Sequence, residues 1–285
     1  MKQFPIGVLL ESFRLPPDRA IQAAADLGIK GLQLYATRGP FSPDEMTPAR
    51  QKELQNLLDG HGMVISALCG DLGHGFIDTS RNPKLIEESK KIMYLARELG
   101  VNVVTTHIGA IPQDKSEDQY KIMQDACFQL AEYAHALEAF FAVETGPEPS
   151  AALAEFLDSL SVPGVAVNMD PANLMIFWKE DAVQAVRNLG RYIVHTHAKD
   201  GRQICPLSAD EVRRAYTNID DFMALKDRFC ELPLGQGDVD FPAYLAALEE
   251  AGYNGYLTIE REVGETPGAD IATAAGYLRG IMGDS

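Results

Sequence analysis

Four polar residues of this sequence each close a short apolar run, and their types are those that bind metal ions. Glu144 ends FFAVE, Asp170 ends VAVNMD, His197 ends IVHTH and Glu260 ends YLTIE. An unpaired charge at the end of a buried strand is costly, and one divalent cation would offset all four costs together. Three carboxylates and one imidazole suit Mn²⁺, Mg²⁺ or Co²⁺ better than a thiolate-preferring metal, and Zn²⁺ is also compatible.

Each of these residues, taken alone, has a simpler interpretation, because a carboxylate at a strand end commonly caps a helix or forms an ion pair. Their occurrence on four successive strands favours a shared metal site instead. His195 and His197 are two residues apart and therefore share a strand face. We assign His197 to the metal because it lies nearer the strand end. His195 is then either a group behind the ligand or a core histidine with a hydrogen-bond partner.

Other polar residues that follow strands are candidates for binding a substrate. His107 ends VVTTH and is the best candidate for binding a substrate hydroxyl. His74 lies in the glycine-rich GDLGHGF loop, from which it reaches the same pocket or simply faces solvent. Secondary candidates follow the ligand-bearing strands: Asn173, Lys199, Asp200 and Arg202. His61 and His135 fall on predicted helices and receive no catalytic role.

The elements that must position these residues alternate along the chain. Eight apolar runs are typical of buried parallel strands: Ile6–Leu10, Gly31–Tyr35, Val64–Leu68, Val103–His107, Phe140–Glu144, Gly164–Asp170, Tyr192–His197 and Tyr256–Glu260. Amphipathic segments separate them, such as Asn82 to Leu99, and several end in glycine before the next strand. This alternation predicts one α/β domain over residues 1–285, a (β/α)8 TIM barrel, with a doubly wound sheet as the alternative. In a barrel, the carboxyl ends of the strands converge on the active site.

The last two predicted strands are separated by nearly twice the usual spacing. The surplus, residues 199–240, follows a strand and therefore lies on the catalytic face of a barrel. Within this loop-helix insertion, Ala209–Glu231 is predicted to be helical. A lid, an oligomer contact and a plain surface insertion all fit, so a homo-oligomer stays open. The segment LGQGDVDF lacks dinucleotide-binding spacing and is predicted to be a turn before a helix that begins near Phe241.

Composition and missing motifs exclude several classes of function. A net charge of -16 without a basic stripe argues against binding nucleic acid, and the acidity is typical of solubility. The 4 cysteines are far apart and form no CxxC pair, which indicates reduced thiols. No apolar stretch has the length of a signal or a membrane span, so we expect a cytoplasmic protein without a membrane partner. Phosphate-loop and GxSxG sequences are absent.

The chain resembles the sugar isomerase/epimerase superfamily with the xylose-isomerase-like barrel, which includes ketose 3-epimerases, hydroxypyruvate isomerases and inosose dehydratases. The resemblance covers nearly the whole chain and rests on the order and spacing of VETGP, NMDPAN, HTHAKD, PLGQGDVDF and GYLTIERE. It implies the metal ligands Glu144, Asp170, His197 and Glu260, and it implies that the two glutamates serve as acid and base. Ketose 3-epimerases carry a substrate-binding histidine where this chain has Asn173. This departure weakens the transfer of their substrate, and it also breaks the three-zinc ligand set of the related DNA-repair endonucleases.

The function that this resemblance implies is a divalent-metal-dependent isomerase or epimerase of a sugar, keto-sugar or sugar phosphate. Proton transfer would pass through a metal-stabilised enediolate, with Glu144 and Glu260 as acid and base. The expected partner is a small carbohydrate. Two alternatives stay open: a metal-dependent lyase or dehydratase of a keto-sugar or inosose, and a non-catalytic barrel subunit that binds metal or sugar. Solvent deuterium exchange into the sugar distinguishes a catalyst from a binding module.

Overall fold

The computed structural model describes residues 2–283, and its central feature is a closed barrel of eight parallel strands. In chain order the barrel strands are β1 (Ile6–Leu9), β2 (Gly31–Tyr35), β3 (Val64–Cys69), β4 (Val103–Thr106), β5 (Phe140–Glu144), β6 (Val165–Met169), β7 (Ile193–Ala198) and, after two further strands, β10 (Leu257–Ile259). The order around the barrel is β1-β10-β7-β6-β5-β4-β3-β2. The predicted barrel is confirmed, and the doubly wound alternative is wrong. Every predicted strand is present, with its ends shifted by no more than one residue.

The helices surround the barrel and account for the amphipathic segments of the sequence. They are α1 (Pro17–Asp26), α2 (Pro48–His61), α3 (Asn82–Glu98), α4 (Asp118–Ala136), α5 (Ser150–Leu160), α6 (Pro171–Trp178), α7 (Ala182–Leu189), α8 (Ala209–Ala215), α9 (Ile219–Leu225), α10 (Phe241–Glu250) and α11 (Pro267–Met282). Leu85, Ser89 and Ile92 of α3 are buried on one face, as their spacing predicts. Gly28 and Gly100, which follow α1 and α3, have φ of +67° and +72°, the left-handed conformation that glycine adopts without strain.

The barrel strands are covered on both faces, which explains why they read as continuous apolar runs. All residues of β1 and of β6 are buried. Barrel side chains cover the inner face and helices cover the outer face, so polar residues are tolerated mainly where a strand ends. None of the helices among residues 2–283 is long and apolar enough to cross a membrane. All four cysteines are free thiols.

Residues 200–232, in the segment between β7 and β10, form a small substructure beside the barrel. Strands β8 (Asp200–Gln203) and β9 (Phe229–Leu232) pair antiparallel, and α8 and α9 lie between them in the chain. The prediction of a helix over Ala209–Glu231 is therefore only partly right. Asn218 interrupts it by capping α9, with its Oδ1 accepting from the Asp220 amide at 2.8 Å. The apolar β9 pairs with β8, a tertiary contact that overrides helical periodicity.

Asp200 holds the glycine-rich segment that precedes α10. Its buried carboxylate accepts backbone N–H bonds from Gly201 and, across the chain, from Gly235, Gly237 and Val239 at 2.8–3.2 Å. Gly237 must be glycine, because a Cβ there would come within 2.0 Å of Asp200 Oδ1. The predicted turn before a helix at Phe241 is confirmed, and Asp240 caps that helix through the Ala243 amide at 3.1 Å.

We expect Asp200→Ala to destabilise the protein by about 2–4 kcal/mol, because it leaves several amide groups without an acceptor. Asp238→Ala is the matched control, since Asp238 forms only an exposed ion pair with Arg202 at 2.7 Å and is expected to change stability by less than about 0.5 kcal/mol. Urea denaturation followed by circular dichroism measures both. Equal midpoints for the two variants would contradict the assigned role of Asp200.

Candidate metal centre and active site

Four barrel strands deliver one ligand side chain each to the same end of the barrel. Glu144 is the last residue of β5, Asp170 follows β6, His197 lies near the end of β7 and Glu260 follows β10. One ligand atom from each residue lies within 4.8 Å of the others, and all four residues are buried. The structure thus brings together the four residues that the sequence predicts as ligands.

His197 Nδ1 is the centre of this cluster. It lies 3.1 Å from Glu260 Oε2, 3.4 Å from Asp170 Oδ2 and 3.6 Å from Glu144 Oε1. Three carboxylates at such spacing repel one another strongly in a buried site unless a positive charge lies among them. Three hard oxygen donors and one imidazole nitrogen fit a divalent cation of the Mn²⁺, Mg²⁺ or Co²⁺ type. The donor set therefore makes this cluster a possible metal site.

Asp170 combines two roles that the sequence left as alternatives. Its Oδ1 accepts from the Asn173 amide at 3.0 Å and caps α6, while its Oδ2 faces His197. Thr145 fixes the backbone of the same residue, because its Oγ1 accepts from the Asp170 amide and donates to the Asp170 carbonyl, both at 2.8 Å. Helix capping is thus compatible with metal binding at this position.

Gln33, from β2, orients the imidazole ligand and was not predicted from the sequence. Its Nε2 donates to Thr105 Oγ1 at 3.0 Å, which turns its Oε1 toward Nε2 of both His195 and His197, 3.0 Å from each. We assign the Nε2 proton of His197 to this bond, which directs Nδ1 at the carboxylate cluster. The carboxylates raise the pKa of His197 well above its usual value, so Nδ1 carries a proton that a bound cation would replace. His195 is a core histidine, and burial lowers its pKa to about 3.

The two glutamates have different electrostatic surroundings before a cation binds. Burial raises the pKa of Glu144 to about 7, since the two nearby histidines only partly offset the burial and the neighbouring carboxylates. Burial also raises the pKa of Glu260, but the charges of His197 and Lys199 outweigh it and hold that pKa well below its usual range. Glu260 therefore stays ionised, whereas Glu144 accepts a proton more readily.

Lys199 supplies the other positive charge of the cluster. Its buried Nζ lies 3.0 Å from Glu260 Oε2 and 3.8 Å from Asp170 Oδ2, and it also contacts Glu262. Burial opposes the charged form, but the surrounding carboxylates outweigh it and raise the pKa of Lys199 well above its usual value. Lys199, which the sequence predicts to bind substrate, thus lies in the site, where it forms an ion pair with Glu260.

His107 and Asn173 lie on the Glu144 side of the site. His107 Nε2 is 3.6 Å from Glu144 Oε1, and its buried Nδ1 has no hydrogen-bond partner. Asn173 Nδ2 donates to Glu144 Oε1 at 3.3 Å and to the Thr145 carbonyl at 3.2 Å. Asn168, another residue missed by sequence reasoning, donates to Glu144 Oε2 at 3.1 Å. Within residues 2–283, no lysine or arginine forms an ion pair with Glu144, so these amides anchor its carboxylate.

Two of the predicted substrate-binding residues lie elsewhere. His74 is exposed and lines a neighbouring depression, because the loop after β3 turns away from the metal cluster. Arg202 is on β8, where its guanidinium pairs with Asp238 instead of entering the site. The position of His74 matches the solvent-facing alternative, and neither residue lines the cavity above the metal cluster. His61 and His135 lie on α2 and α4, as expected for residues without a catalytic role.

A cavity of about 550 Å³ opens above the cluster. Glu144, His197 and Glu260 line its floor, whereas Asp170 is fully buried behind them. The remaining polar lining includes Gln33, Asp71, His107, Asn173 and Lys199. The segment between β7 and β10 supplies a further part of the wall: Tyr216, Phe222, Met223, Lys226, Phe229, Cys230 and Glu231. The predicted insertion on the catalytic face therefore contributes directly to the cavity.

Comparisons with known proteins identify relatives over the whole length of the chain. L-ribulose-5-phosphate 3-epimerase UlaE of Escherichia coli O157:H7 is 22% identical over 299 residues, covering 99% of this chain and 96% of the relative. A xylose isomerase domain protein from Planctomyces limnophilus is 26% identical, with a TM-score of 0.78, over 98% of this chain and 96% of that one. A xylose isomerase-like TIM barrel protein from Mycobacterium smegmatis, solved in complex with magnesium, is 14% identical, with a TM-score of 0.72, over 98% and 97% of the two chains.

A family model provides the assignment. The model described as xylose isomerase-like TIM barrel matches residues 21–281, which includes β2 to β10 and all four clustered ligands. With the closed barrel and the full-length relatives, this match shows that the chain belongs to the xylose isomerase-like TIM barrel family.

Proposed function

We propose that the protein is a divalent-metal-dependent isomerase or epimerase that moves a proton at a carbon beside the carbonyl group of a sugar. The observation that carries this proposal is the cluster of four ligand atoms within 4.8 Å, which lies at the carboxyl ends of the strands under an open cavity. An epimerase among the full-length relatives supports the reaction class. A buried acidic cluster with two glutamates facing the cavity suits enolisation.

The proposed cofactor is one Mn²⁺, Mg²⁺ or Co²⁺ ion held by Glu144, Asp170, His197 and Glu260. The oxygen-rich donor set supports this choice, as does the magnesium complex of the Mycobacterium smegmatis relative. When bound, such a cation would polarise the substrate carbonyl and stabilise the negative charge that develops on its oxygens. The protein would keep these side chains in place because Gln33 Oε1 accepts from His197, and because Asn168 and Asn173 donate to Glu144.

The acid and base roles belong to Glu144 and Glu260. They come from β5 and the end of β10, which β7 and β6 separate in the barrel, so their carboxylates approach a substrate from different sides. Glu144 would remove or return the proton on one face of the substrate, and Glu260 would do so on the other. His107 borders Glu144 and would donate a hydrogen bond to a substrate hydroxyl.

We expect Glu144→Gln and Glu260→Gln each to lower turnover by about 10²- to 10⁴-fold, because the amide cannot transfer the proton. The assay follows deuterium uptake from D₂O into a panel of free and phosphorylated keto-sugars with added Mn²⁺. Glu148→Gln is the control, since Glu148 is also buried but lies in a separate cavity. Near-normal rates in Glu144→Gln or in Glu260→Gln would refute the acid/base assignment. A product that has lost water would identify a lyase instead.

We also expect metal binding to depend on Gln33, which holds the imidazole ligand. Gln33→Leu removes the acceptor and is expected to weaken Mn²⁺ binding by about 10- to 100-fold, as loss of a partner behind a metal ligand typically does. Gln33→Glu retains an acceptor oxygen and is expected to preserve most of the affinity. Calorimetric titration of chelator-treated protein measures both variants. Similar affinities for Gln33→Leu and the wild type would show that the hydrogen bond does not orient His197.

A further inference from the structure

The segment between β7 and β10 gives the cavity an apolar wall. Phe222 and Met223 of α9 and Phe229 of β9 line it together with Phe177 at the end of α6. The ring centroids of Phe177 and Phe222 lie 5.3 Å and 5.7 Å from that of Phe229, so the aromatic side chains also pack against one another. Val263, after β10, adds an apolar side chain from a different part of the chain.

Part of this wall is apolar surface that the fold does not bury. Met223 is 49% exposed and Val263 is 48% exposed, and both line the cavity. Ile219, on the same helix as Met223, is 71% exposed but lies outside the cavity. Large apolar side chains that converge on a ligand cavity from two segments are typical of a binding surface, whereas an isolated exposed one is not.

The cavity is unsuited to a phosphate group. Five carboxylates and two lysines line it. The buried ammonium of Lys199 is already paired with Glu260 and Glu262, which leaves the exposed Lys226 as the second cation. No arginine is among the described residues that line it, and Arg261 nearby is paired with Glu231 at 2.6 Å and with Asp270 at 2.8 Å. Proteins generally bind phosphate through arginine forks, lysine side chains or helix N-termini, and one exposed lysine set against five carboxylates is a weak site for it.

The N-terminus of α6, beside the metal cluster, is also occupied. Asp170 caps α6 with its own carboxylate, so this end of the helix already carries a negative charge. The basic side chains Arg38, Arg81 and Lys84 line a separate depression. Arg81 and Lys84 pair there with Asp78 at 3.5 Å and Glu88 at 3.6 Å.

The size of the cavity supports a ligand larger than a simple sugar. Its volume of about 550 Å³ lies within the range of pockets that hold drug-sized molecules. A monosaccharide on the metal cluster would fill only the polar floor and would leave the wall formed by Phe222, Met223 and Val263 in contact with water.

We propose that the substrate is an uncharged sugar-type carbonyl compound that carries an apolar substituent, such as an aromatic aglycone. The polyol lies on the metal cluster, and the substituent packs against Phe222, Met223 and Val263. This inference rests on the proposed function for the polyol part and adds the recognition of the substituent. Burial of an aromatic ring against these side chains supplies affinity that a free sugar lacks.

The test compares three ligands that share one reactive ketone. Methyl 3-keto-β-D-glucoside, its phenyl analogue and the 6-phosphate of the methyl compound are titrated calorimetrically into Mn²⁺-loaded protein. We expect the phenyl compound to bind at least about tenfold more tightly than the methyl compound. The phosphate is expected to bind no more tightly than the methyl compound, because the lining carboxylates repel it.

Two variants of α9 locate the effect. Met223→Ser is expected to reduce the preference for phenyl over methyl by about 3- to 10-fold, because it weakens binding of the phenyl compound more than binding of the methyl compound. Ile219→Ser is the matched control and is expected to change neither affinity, because Ile219 is also an exposed apolar residue of α9 but lies outside the cavity.

Equal binding of the phenyl and methyl compounds, tighter binding of the phosphate, or no binding of all three would overturn this inference. Deuterium uptake from D₂O, measured on the same ligands, tests the proposed function separately. A phenyl preference without deuterium uptake would support the substituent site and reject the proposed reaction. Deuterium uptake without a phenyl preference would support the proposed reaction and reject the substituent site.

Discussion

Three buried carboxylates surround a single imidazole nitrogen in this protein, and their mutual repulsion is the constraint on which the rest of the site depends. The arrangement is stable only with compensating positive charge. His197 and Lys199 supply part of it, and the high pKa of each reflects that demand. A divalent cation would displace the proton from His197 and satisfy all three carboxylates at once. The barrel can hold the three carboxylates close together because backbone hydrogen bonds fix its strands, and repulsion between side chains does not disturb those bonds.

The difference between the two glutamates follows from what lies beside each one. Glu260 contacts the ammonium of Lys199, whereas Glu144 is held by the neutral amides of Asn168 and Asn173. Identical side chains therefore differ in proton affinity because a full charge stabilises a carboxylate more than an amide dipole does.

The segment between β7 and β10 is part of the site as well as an addition to the barrel. Asp200 joins it to the turn before α10, and β8 and β9 hold α9 over the cavity. The barrel itself supplies the polar floor, which suits chemistry on a polyol. The added segment supplies the apolar wall. Variation of such a segment can change the ligand while leaving the metal cluster intact, because the two are built from different elements.

The amino-acid sequence by itself determined the barrel and the four residues that cluster at its carboxyl end. Strands buried on both faces appear as continuous apolar runs, and a charged residue is tolerated where such a run ends, so Glu144, Asp170, His197 and Glu260 were visible locally. Gln33 and Asn168 were not visible, because a polar residue within a strand reveals nothing about partners far away in the chain. The same lack of information about distant partners explains why the sequence could not distinguish Lys199, which lies in the site, from Arg202, which does not. Both follow β7, but only the folded chain places Glu260 beside the first and Asp238 beside the second. Local pattern encodes burial and secondary structure, whereas the direction of a long side chain depends on charges that only barrel closure brings near.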